Sequence, residues 1–423
     1  MISKRIDILR KKFEKFNIDG YVVPKNDEFF SEYAQNDRLK NISNFTGSAG
    51  LAIILKKNNY LFVDGRYTIQ AQNESGKNFK IIEIHKKLPH NIIKKCKLGF
   101  DPLLFTSNKL KRYFSSNIKL VSINENLIDK IYKNKNKKAK PFFSLSKNIV
   151  GESYQSKIKK VINFLKKNKA DYLFVSAPEN VAWLLNIRGS DNPTSPIPNS
   201  RLIIGKNKQL LLIAKKGCVQ KIINQKKIKR DQIIDFDQLK ESINKLKGTN
   251  FIIDHHSCSI FAERVIKSKF KILDIKDPIY KLKSIKNSSE IKHMIEAHKK
   301  DGLALTRFIY WIKNINKKRL SEVDAQIKLE KFRKMNKDYL FPSFNTIAGA
   351  GSNGAIVHYR ATKLNTKNIN KNDIFLCDSG GQYKYGTTDV TRTLCFSKPR
   401  QYIKDAFTKV LKGHIAVVLT NLN

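Results

Sequence analysis

The sequence predicts an α/β (α+β) protein with two similar units followed by a third, different region. At 423 residues the chain is long enough for two or three domains. Helical and strand-like patterns alternate along it, which indicates α/β units. Two segments of about 140 residues also repeat the same order of patterns, and such a repeat is typical of duplicated structural units.

The first unit opens with an amphipathic helix predicted over residues 4–16. A strand over residues 19–23, the segment NISNFTG at 41–47 and an apolar hairpin at 51–55 and 60–63 follow. A short strand then ends in Asp101, with a helix predicted over residues 109–114. This order predicts a sheet with helices packed against it.

The second unit repeats that order. A helix predicted over residues 157–167 precedes a strand at 171–175, the segment AWLLNIRG at 182–189 and a hairpin at 202–204 and 210–213. A strand again ends in aspartate, here Asp254, before a helix over residues 261–267. We therefore expect the two sheets to share one topology.

Two boundaries separate the regions. The Lys-rich stretch at 133–141 is polar and ends in proline, which is typical of a linker, and a second boundary falls near Asp277 and Pro278. The predicted domains are 1–140, 150–278 and 279–423. The third opens with a Ser-x-x-Glu-like cap within residues 284–290 and a helix over 291–312, whose apolar stripe is interpreted as core: Met294, Ala297, Ala304, Leu305, Phe308 and Trp311.

Composition excludes several classes of protein. The net charge of +46 suggests a polyanionic partner, but the lysines are spread along the whole chain, so we predict no specific nucleic-acid binding. No apolar run approaches the ~20 residues of a membrane span. Five scattered cysteines without a C-x-x-C pair favour a reducing compartment over a disulfide framework. We therefore predict a cytoplasmic protein without a membrane partner.

The chemistry concentrates in residues 341–395. A strand predicted at 374–377, with both faces covered, ends at Asp378, and glycines supply turns before a second strand begins just after Asp389. A hairpin of this kind brings the two carboxylates together, and their mutual repulsion is relieved by cations. Each aspartate alone could simply stabilise a turn. As a pair they predict a site for Mn²⁺, Zn²⁺ or Co²⁺.

The strings DSGGQY at 378–383 and GTTDVTRT at 386–393 resemble the metal-binding signature of Xaa-Pro aminopeptidases, of the pita-bread metallopeptidase family. FTGSAG at 45–50, FVDGRY at 62–67, NGAIVHY at 353–359 and KGHIA at 412–416 are similar to further segments of that family. The resemblance implies two creatinase-type N-terminal domains and the first half of a pita-bread catalytic domain. It also implies two divalent metal ions, with Mn²⁺ favoured, of which Asp378 would bind one while Asp389 would bridge both. His358 would line the substrate pocket and hold the scissile carbonyl or its tetrahedral intermediate.

The sequence departs from the family pattern downstream of this pair. The family uses five protein ligands, and the other three are a histidine and two glutamates that follow the hairpin. Residues 390–423 contain no glutamate, and their one histidine, His414, is interpreted as structural. We expect a truncated form of the family protein that binds metal weakly.

The predicted function is hydrolysis of the N-terminal Xaa-Pro bond of peptides by metal-activated hydroxide. A non-catalytic pita-bread binding module and a creatinase or prolidase activity are the alternatives. The resemblance also suggests a homodimer. His255 and His256 follow a strand end, where a turn explains them.

Overall fold

The computed structural model describes residues 2–32, 34, 36–132, 140–317 and 319–420. It divides into two compact units between Ile295 and Glu296. The linker predicted at 133–141 lies almost wholly outside the described residues.

A six-stranded sheet organises the first part of the N-terminal unit. Its strand order is β4-β3-β2-β1-β5-β6, so the first strand lies in the middle. The elements are α1 (Ile2–Arg10), β1 (Gly20–Pro24), α2 (Arg38–Ser43), β2 (Gly50–Leu55), β3 (Asn59–Val63), α3 (Thr68–Ser75), β4 (Lys80–Glu83), α4 (Pro89–Ile92), β5 (Cys96–Phe100), α5 (Ser107–Tyr113) and β6 (Ile118–Ser122).

A second six-stranded sheet follows, in the order β12-β11-β10-β8-β13-β14. The elements are β7 (Phe143–Ser144), α6 (Lys147–Val150), α7 (Tyr154–Lys167), β8 (Tyr172–Val175), α8 (Pro178–Leu185), β9 (Ile187–Arg188), β10 (Arg201–Gly205), β11 (Leu210–Ile213), α9 (Lys216–Asn224), β12 (Ile233–Ile234), α10 (Leu239–Lys245), β13 (Asn250–Ile253), α11 (Ile260–Lys267), β14 (Lys271–Asp274) and α12 (Pro278–Ser284).

The two sheets have one topology, as the repeat predicted. In each, the central strand pairs antiparallel with the hairpin and parallel with the later strand that precedes an aspartate. Every residue of β1 and of β8 is buried, because apolar clusters cover both faces of each sheet. The predicted fold class is confirmed in this part of the chain.

The C-terminal unit contains two three-stranded sheets, β15-β18-β19 and β16-β17-β20. Helix α13 (Ser288–Asn314) begins before the unit boundary. The other elements are α14 (Glu322–Lys334), β15 (Tyr339–Pro342), β16 (Ile347–Ala350), β17 (Ile374–Ser379), β18 (Gly381–Tyr383), β19 (Gly386–Thr387), β20 (Val390–Cys395) and α15 (Gln401–Val418). Residues of α13 and α14 pack against one face of β16, β17 and β20.

Several local predictions were wrong. Helix α1 ends at Arg10, and turns occupy residues 11–17. By contrast, the cap predicted within residues 284–290 is present at Asn287, whose side chain accepts from the Glu290 amide while the Glu290 carboxylate accepts from the Asn287 amide. Met294 is exposed rather than in the core. In β17 burial alternates, so one face is covered and the other is partly exposed.

Candidate metal centre

Asp378 lies near the end of β17, the middle strand of its sheet. The register places it opposite Ile347 of β16 and opposite Thr391 of β20. The Thr391 hydroxyl donates a hydrogen bond to Asp378 Oδ1 over 2.8 Å. Asp378 is only partly exposed, on the less covered face of the sheet. Strand pairing therefore fixes the position of this carboxylate.

Asp389 directly precedes β20, two residues before Thr391. The two ends of the segment between Asp378 and Asp389 are joined by hydrogen bonds. The Thr388 amide donates to the Gly381 carbonyl at 2.9 Å, and the Gly381 amide donates to Thr388 Oγ1 at 2.9 Å. Gly380 permits this approach: a Cβ there would lie 2.0 Å from the Thr388 carbonyl oxygen. The predicted return of the chain toward Asp378 is present, with β18 and β19 inserted between the two strands.

The two carboxylates interact electrostatically. Burial, and then the negative charge of Asp378, raise the pKa of Asp389. A divalent cation would remove this repulsion, and carboxylate oxygens suit such an ion, so the pair fits a metal as two of its ligands. No cluster of three or more His, Cys, Asp or Glu side chains suited to a metal occurs within the described residues.

His358 lies in a turn after a short 3-10 segment and has a left-handed backbone with φ of 58°. The next residue, Tyr359, is buried and packs with Ile347 and Leu376. Leu376 is two residues before Asp378 on β17, so it points to the same face of the strand. The turn that carries His358 is thus anchored against the face that carries Asp378.

Glu322, at the start of α14, anchors the same turn and was not identified from the sequence. Its carboxylate is fully buried and accepts hydrogen bonds from the Ala350 amide at 2.8 Å, the Lys367 amide at 2.9 Å and the Tyr359 hydroxyl at 2.9 Å. Asn353 Nδ2 donates to it over 3.0 Å. In the sequence Glu322 has the appearance of an ordinary acidic residue in a first helical turn.

Arg333 and Asp301 form a second buried group that sequence reasoning missed. The guanidinium donates to Asp301 Oδ1 over 2.7 Å and to Asp301 Oδ2 over 3.1 Å, and both side chains are at most 2% exposed. Arg333 Nη2 also donates to the hydroxyl of Ser379, the residue after Asp378, over 3.0 Å. Tyr383 OH donates to Asp301 Oδ1 over 2.9 Å. This network ties α13, α14 and β18 to the end of β17.

The other histidines noted in the sequence lie elsewhere. His414 is exposed on α15 and so contributes no buried packing. His255 lies in a turn after β13, with Nδ1 2.8 Å from Asp274 Oδ2 and Nε2 3.3 Å from Glu263 Oε1. The turn and these ion-pair contacts account for its position.

Comparison with known families divides the chain into three matches. The creatinase/prolidase N-terminal domain matches residues 5–131, and a second model with the same description matches residues 133–290. Metallopeptidase family M24 matches residues 292–420, which include Asp378 and Asp389.

Curated relatives extend over nearly the whole chain. Xaa-Pro aminopeptidase ApepP of Drosophila melanogaster is 34% identical, with 94% of this chain and 68% of the relative covered. A probable Xaa-Pro aminopeptidase P of Laccaria bicolor is 33% identical, with 98% and 68% covered. The chain belongs to the Xaa-Pro aminopeptidase family. Family membership makes it an enzyme of the metallopeptidase class, as the motif resemblance predicted.

A solved structure agrees with this assignment at the level of fold. X-prolyl aminopeptidase from Caenorhabditis elegans, described as a cytosolic enzyme with a di-nuclear active site, superposes with a TM-score of 0.85 at 24% identity, covering 95% of this chain and 71% of that one. None of the described helices has the length and apolar character needed to span a bilayer.

Proposed function

We propose that this chain contributes Asp378, Asp389 and His358 to the site of an aminopeptidase that hydrolyses the N-terminal Xaa-Pro bond of peptides. The observation that carries the proposal is the pairing of β17 with β20, which brings Asp378 on β17 near Asp389, the residue directly before β20. Membership of the Xaa-Pro aminopeptidase family supports the reaction and substrate class. The di-nuclear active site and the cytosolic character of the nematode enzyme support a pair of metal ions and a cytosolic location.

Each residue has a separate part in the proposed site. Asp378, held by Thr391, and Asp389, held by the Thr388 turn, supply carboxylate oxygens to a divalent cation, with Mn²⁺ as the preferred candidate. Such a metal pair, when bound, supplies Lewis-acid polarisation of a carbonyl and lowers the pKa of a water molecule. His358 donates a hydrogen bond to the oxygen of the scissile carbonyl. The anchored turn around Tyr359 limits the positions that the His358 imidazole can adopt.

Mn²⁺ titration of this chain tests the metal site. We expect weak binding of Mn²⁺, because only two carboxylates come together within the described residues. Either D378N or D389N should lower the affinity for Mn²⁺ at least tenfold. D405N, which removes the same charge from exposed Asp405 on α15, should bind as the parent does. Equal binding by all four proteins would show that Asp378 and Asp389 are not ligands.

Peptide assays test the reaction. The longest product of the gene should cleave Xaa-Pro-Xaa tripeptides in the presence of Mn²⁺ and leave Xaa-Pro dipeptides intact. Preference for the dipeptide would indicate a prolidase-type activity. Failure to cleave either peptide would favour a binding module, against which the retained carboxylate pair already argues.

A further inference from the structure

A cavity of about 460 Å³ lies in the N-terminal unit, between the parts that contain the two six-stranded sheets. The loop after β1 contributes Asp27 and Phe29, while Asp191, Arg201 and Phe236 come from the second part. The volume falls within the range of roughly 300 to 1,000 Å³ that is typical of small-molecule sites. The cavity is separate from the carboxylate pair, which lies in the C-terminal unit.

Arg201 is the principal charged group of this cavity. The residue is 4% exposed, and its guanidinium lies over the rings of Phe29 and Phe236, 4.6 Å from each ring centre. Nη2 donates to the main-chain carbonyl of Glu28. Arg201 has no ion pair with any carboxylate of the described chain, and burial lowers its pKa to about 10.

The rings do not satisfy the in-plane N–H groups of Arg201. Aromatic faces attract a cation above them, whereas guanidinium N–H groups point outward in the plane and require acceptors. Nε and Nη1 have no acceptor among the described residues, and neither atom is sealed within protein. They are therefore open to a ligand with an acceptor such as a carboxylate, which matches the guanidinium edge.

Two acids of the cavity wall, Asp27 and Asp191, form no ion pair within the described residues. Asp27 Oδ1 accepts from the amides of Phe29 at 2.9 Å and Ser31 at 3.0 Å, and Asp191 Oδ2 accepts from the Asn199 amide at 2.8 Å. Asp191 Oδ1 has no hydrogen-bond donor among the described residues. Burial raises the pKa of both groups, and for Asp191 the charges of Lys215 and Lys140, which also line the cavity, act in the opposite direction.

The cavity wall therefore presents a guanidinium and two acids that form no ion pair with each other within the described residues, together with Lys140 and Lys215. Buried charges without partners are costly, and bridging water compensates them only in part. A small zwitterion would provide an anionic end for Arg201 and a cationic end for the acids. We propose that this cavity binds a free α-amino acid, with its carboxylate on Arg201 and its ammonium group facing Asp191.

This assignment gives the N-terminal unit a binding role of its own. The reaction proposed above releases an amino acid, so the cavity would bind a product of the same protein. The binding proposal does not depend on that reaction, because it rests on contacts within residues 1–295 alone.

Ligand titrations of the metal-free chain test the proposal. With L-alanine as the probe we expect saturable binding, followed by calorimetry or ligand-observed NMR, and at least tenfold weaker binding of acetate and of ethylamine, each of which carries one of the two charges. Binding of acetate as tight as that of L-alanine, or no binding of L-alanine, would overturn the assignment.

Two variants locate the site. R201M should weaken L-alanine binding at least tenfold, and D191N, which keeps an oxygen for the Asn199 amide, should weaken it while leaving acetate binding unchanged. R230M, at an exposed arginine of the same part of the chain, is the matched control. A lower melting temperature would reveal a folding defect in R201M, and D191N then decides the question.

Unchanged affinity in D191N, or equal losses in R201M and R230M, would refute the proposed contacts. D378N should bind L-alanine as the parent does. Failure of the metal or peptide experiments therefore leaves this result unaffected, and failure here leaves the proposed function unaffected.

Discussion

Arg333 shows how one buried residue can support a site that it does not enter. Its guanidinium joins Asp301 to the hydroxyl of Ser379, the residue that follows Asp378. Burial opposes the charge of Arg333, but the ion pair with Asp301 outweighs it and raises the pKa of the guanidinium. Arg333 is therefore charged, and removal of either partner leaves the other buried side chain without its ion pair.

We predict that R333M destabilises the C-terminal unit by about 3–5 kcal/mol, because Asp301 then becomes an unpaired buried carboxylate. Urea unfolding measures the loss. K331M, at an exposed lysine of the same helix, should change stability little. The double variant D301N/R333M should recover part of the loss, and an R333M protein as stable as K331M would disprove the coupling.

Glu322 has a comparable role for the turn of His358. We predict that E322Q lowers the free energy of unfolding by about 2–3 kcal/mol. The groups around the Glu322 carboxylate all donate hydrogen bonds to it, and the NH₂ group of a glutamine would face one of these donors. Y359F removes one of those donors and should cost about 1 kcal/mol. Hydrogen exchange of residues 353–359 should accelerate more in E322Q than in Y359F. The reverse order would show that Glu322 does not organise the turn.

At the scale of elements, α12 begins at a buried acid. Asp277 accepts from Asn180 Nδ2 at 2.7 Å and from the Ile279 amide at 2.9 Å. Burial, assisted by the charge of Asp254, raises the pKa of Asp277 to about 6. The folded chain thus binds this proton more tightly than the unfolded chain, for which the pKa is about 3.9.

The sign of the pH effect follows from this difference. The stability contributed by protonation of Asp277 is fully present below about pH 4 and is lost as the pH rises through about 6. We predict that D277N flattens this part of the stability profile and stabilises the chain above pH 6 by up to about 3 kcal/mol, at 1.36 kcal/mol per pKa unit.

Asn180 makes D277N structurally acceptable. Its Oδ1 is buried without a donor among the described residues, so a rotated Asn180 amide could accept from the new Asn side chain. Urea unfolding between pH 4 and pH 8 is the measurement, with D237N at an exposed aspartate as the control. Parallel profiles for D277N and the parent would contradict the prediction.

At the scale of the whole molecule, α15 stands out because none of its residues is buried. Phe407, Leu411, Ile415 and Val418 follow helical spacing and are 44–66% exposed. A continuous apolar stripe of this kind favours association. The net charge of +46 opposes association by mutual repulsion, and this repulsion weakens in salt.

We predict that this chain self-associates as its concentration rises, and more strongly at high salt. The reason is that contact with a second copy removes the exposed apolar stripe of α15 from water. Sedimentation velocity should show a larger monomer fraction for F407E than for the parent. A416E introduces the same charge on the opposite side of α15 and should behave as the parent does. A chain that stays monomeric at high salt, or equal effects of F407E and A416E, would count against the stripe as the cause.

The sequence alone determined the duplicated α/β architecture and the two aspartates. Alternating apolar periodicity and turn residues are local signals, and they predicted two α/β units with the same order of elements along the chain. The motif around Asp378 and Asp389 identified the family because its glycines and acids are adjacent in the chain. Prediction failed where local signals are ambiguous, as at the end of α1 and at Met294.

Only the tertiary structure determined which charged residues are buried and with what partners. Arg333 lies 32 residues from Asp301 and 46 from Ser379, and Arg201 meets Phe29 across 172 positions, so no local pattern marks these contacts. Charged residues on amphipathic elements are normally solvated, so the sequence pattern predicts that Arg333 and Arg201 are exposed. Packing removes the water from around such charged groups, and a charge without water needs another partner. Arg333 is paired with Asp301 and supports the end of β17. Arg201 has an open N–H edge and is the proposed recognition group of a cavity.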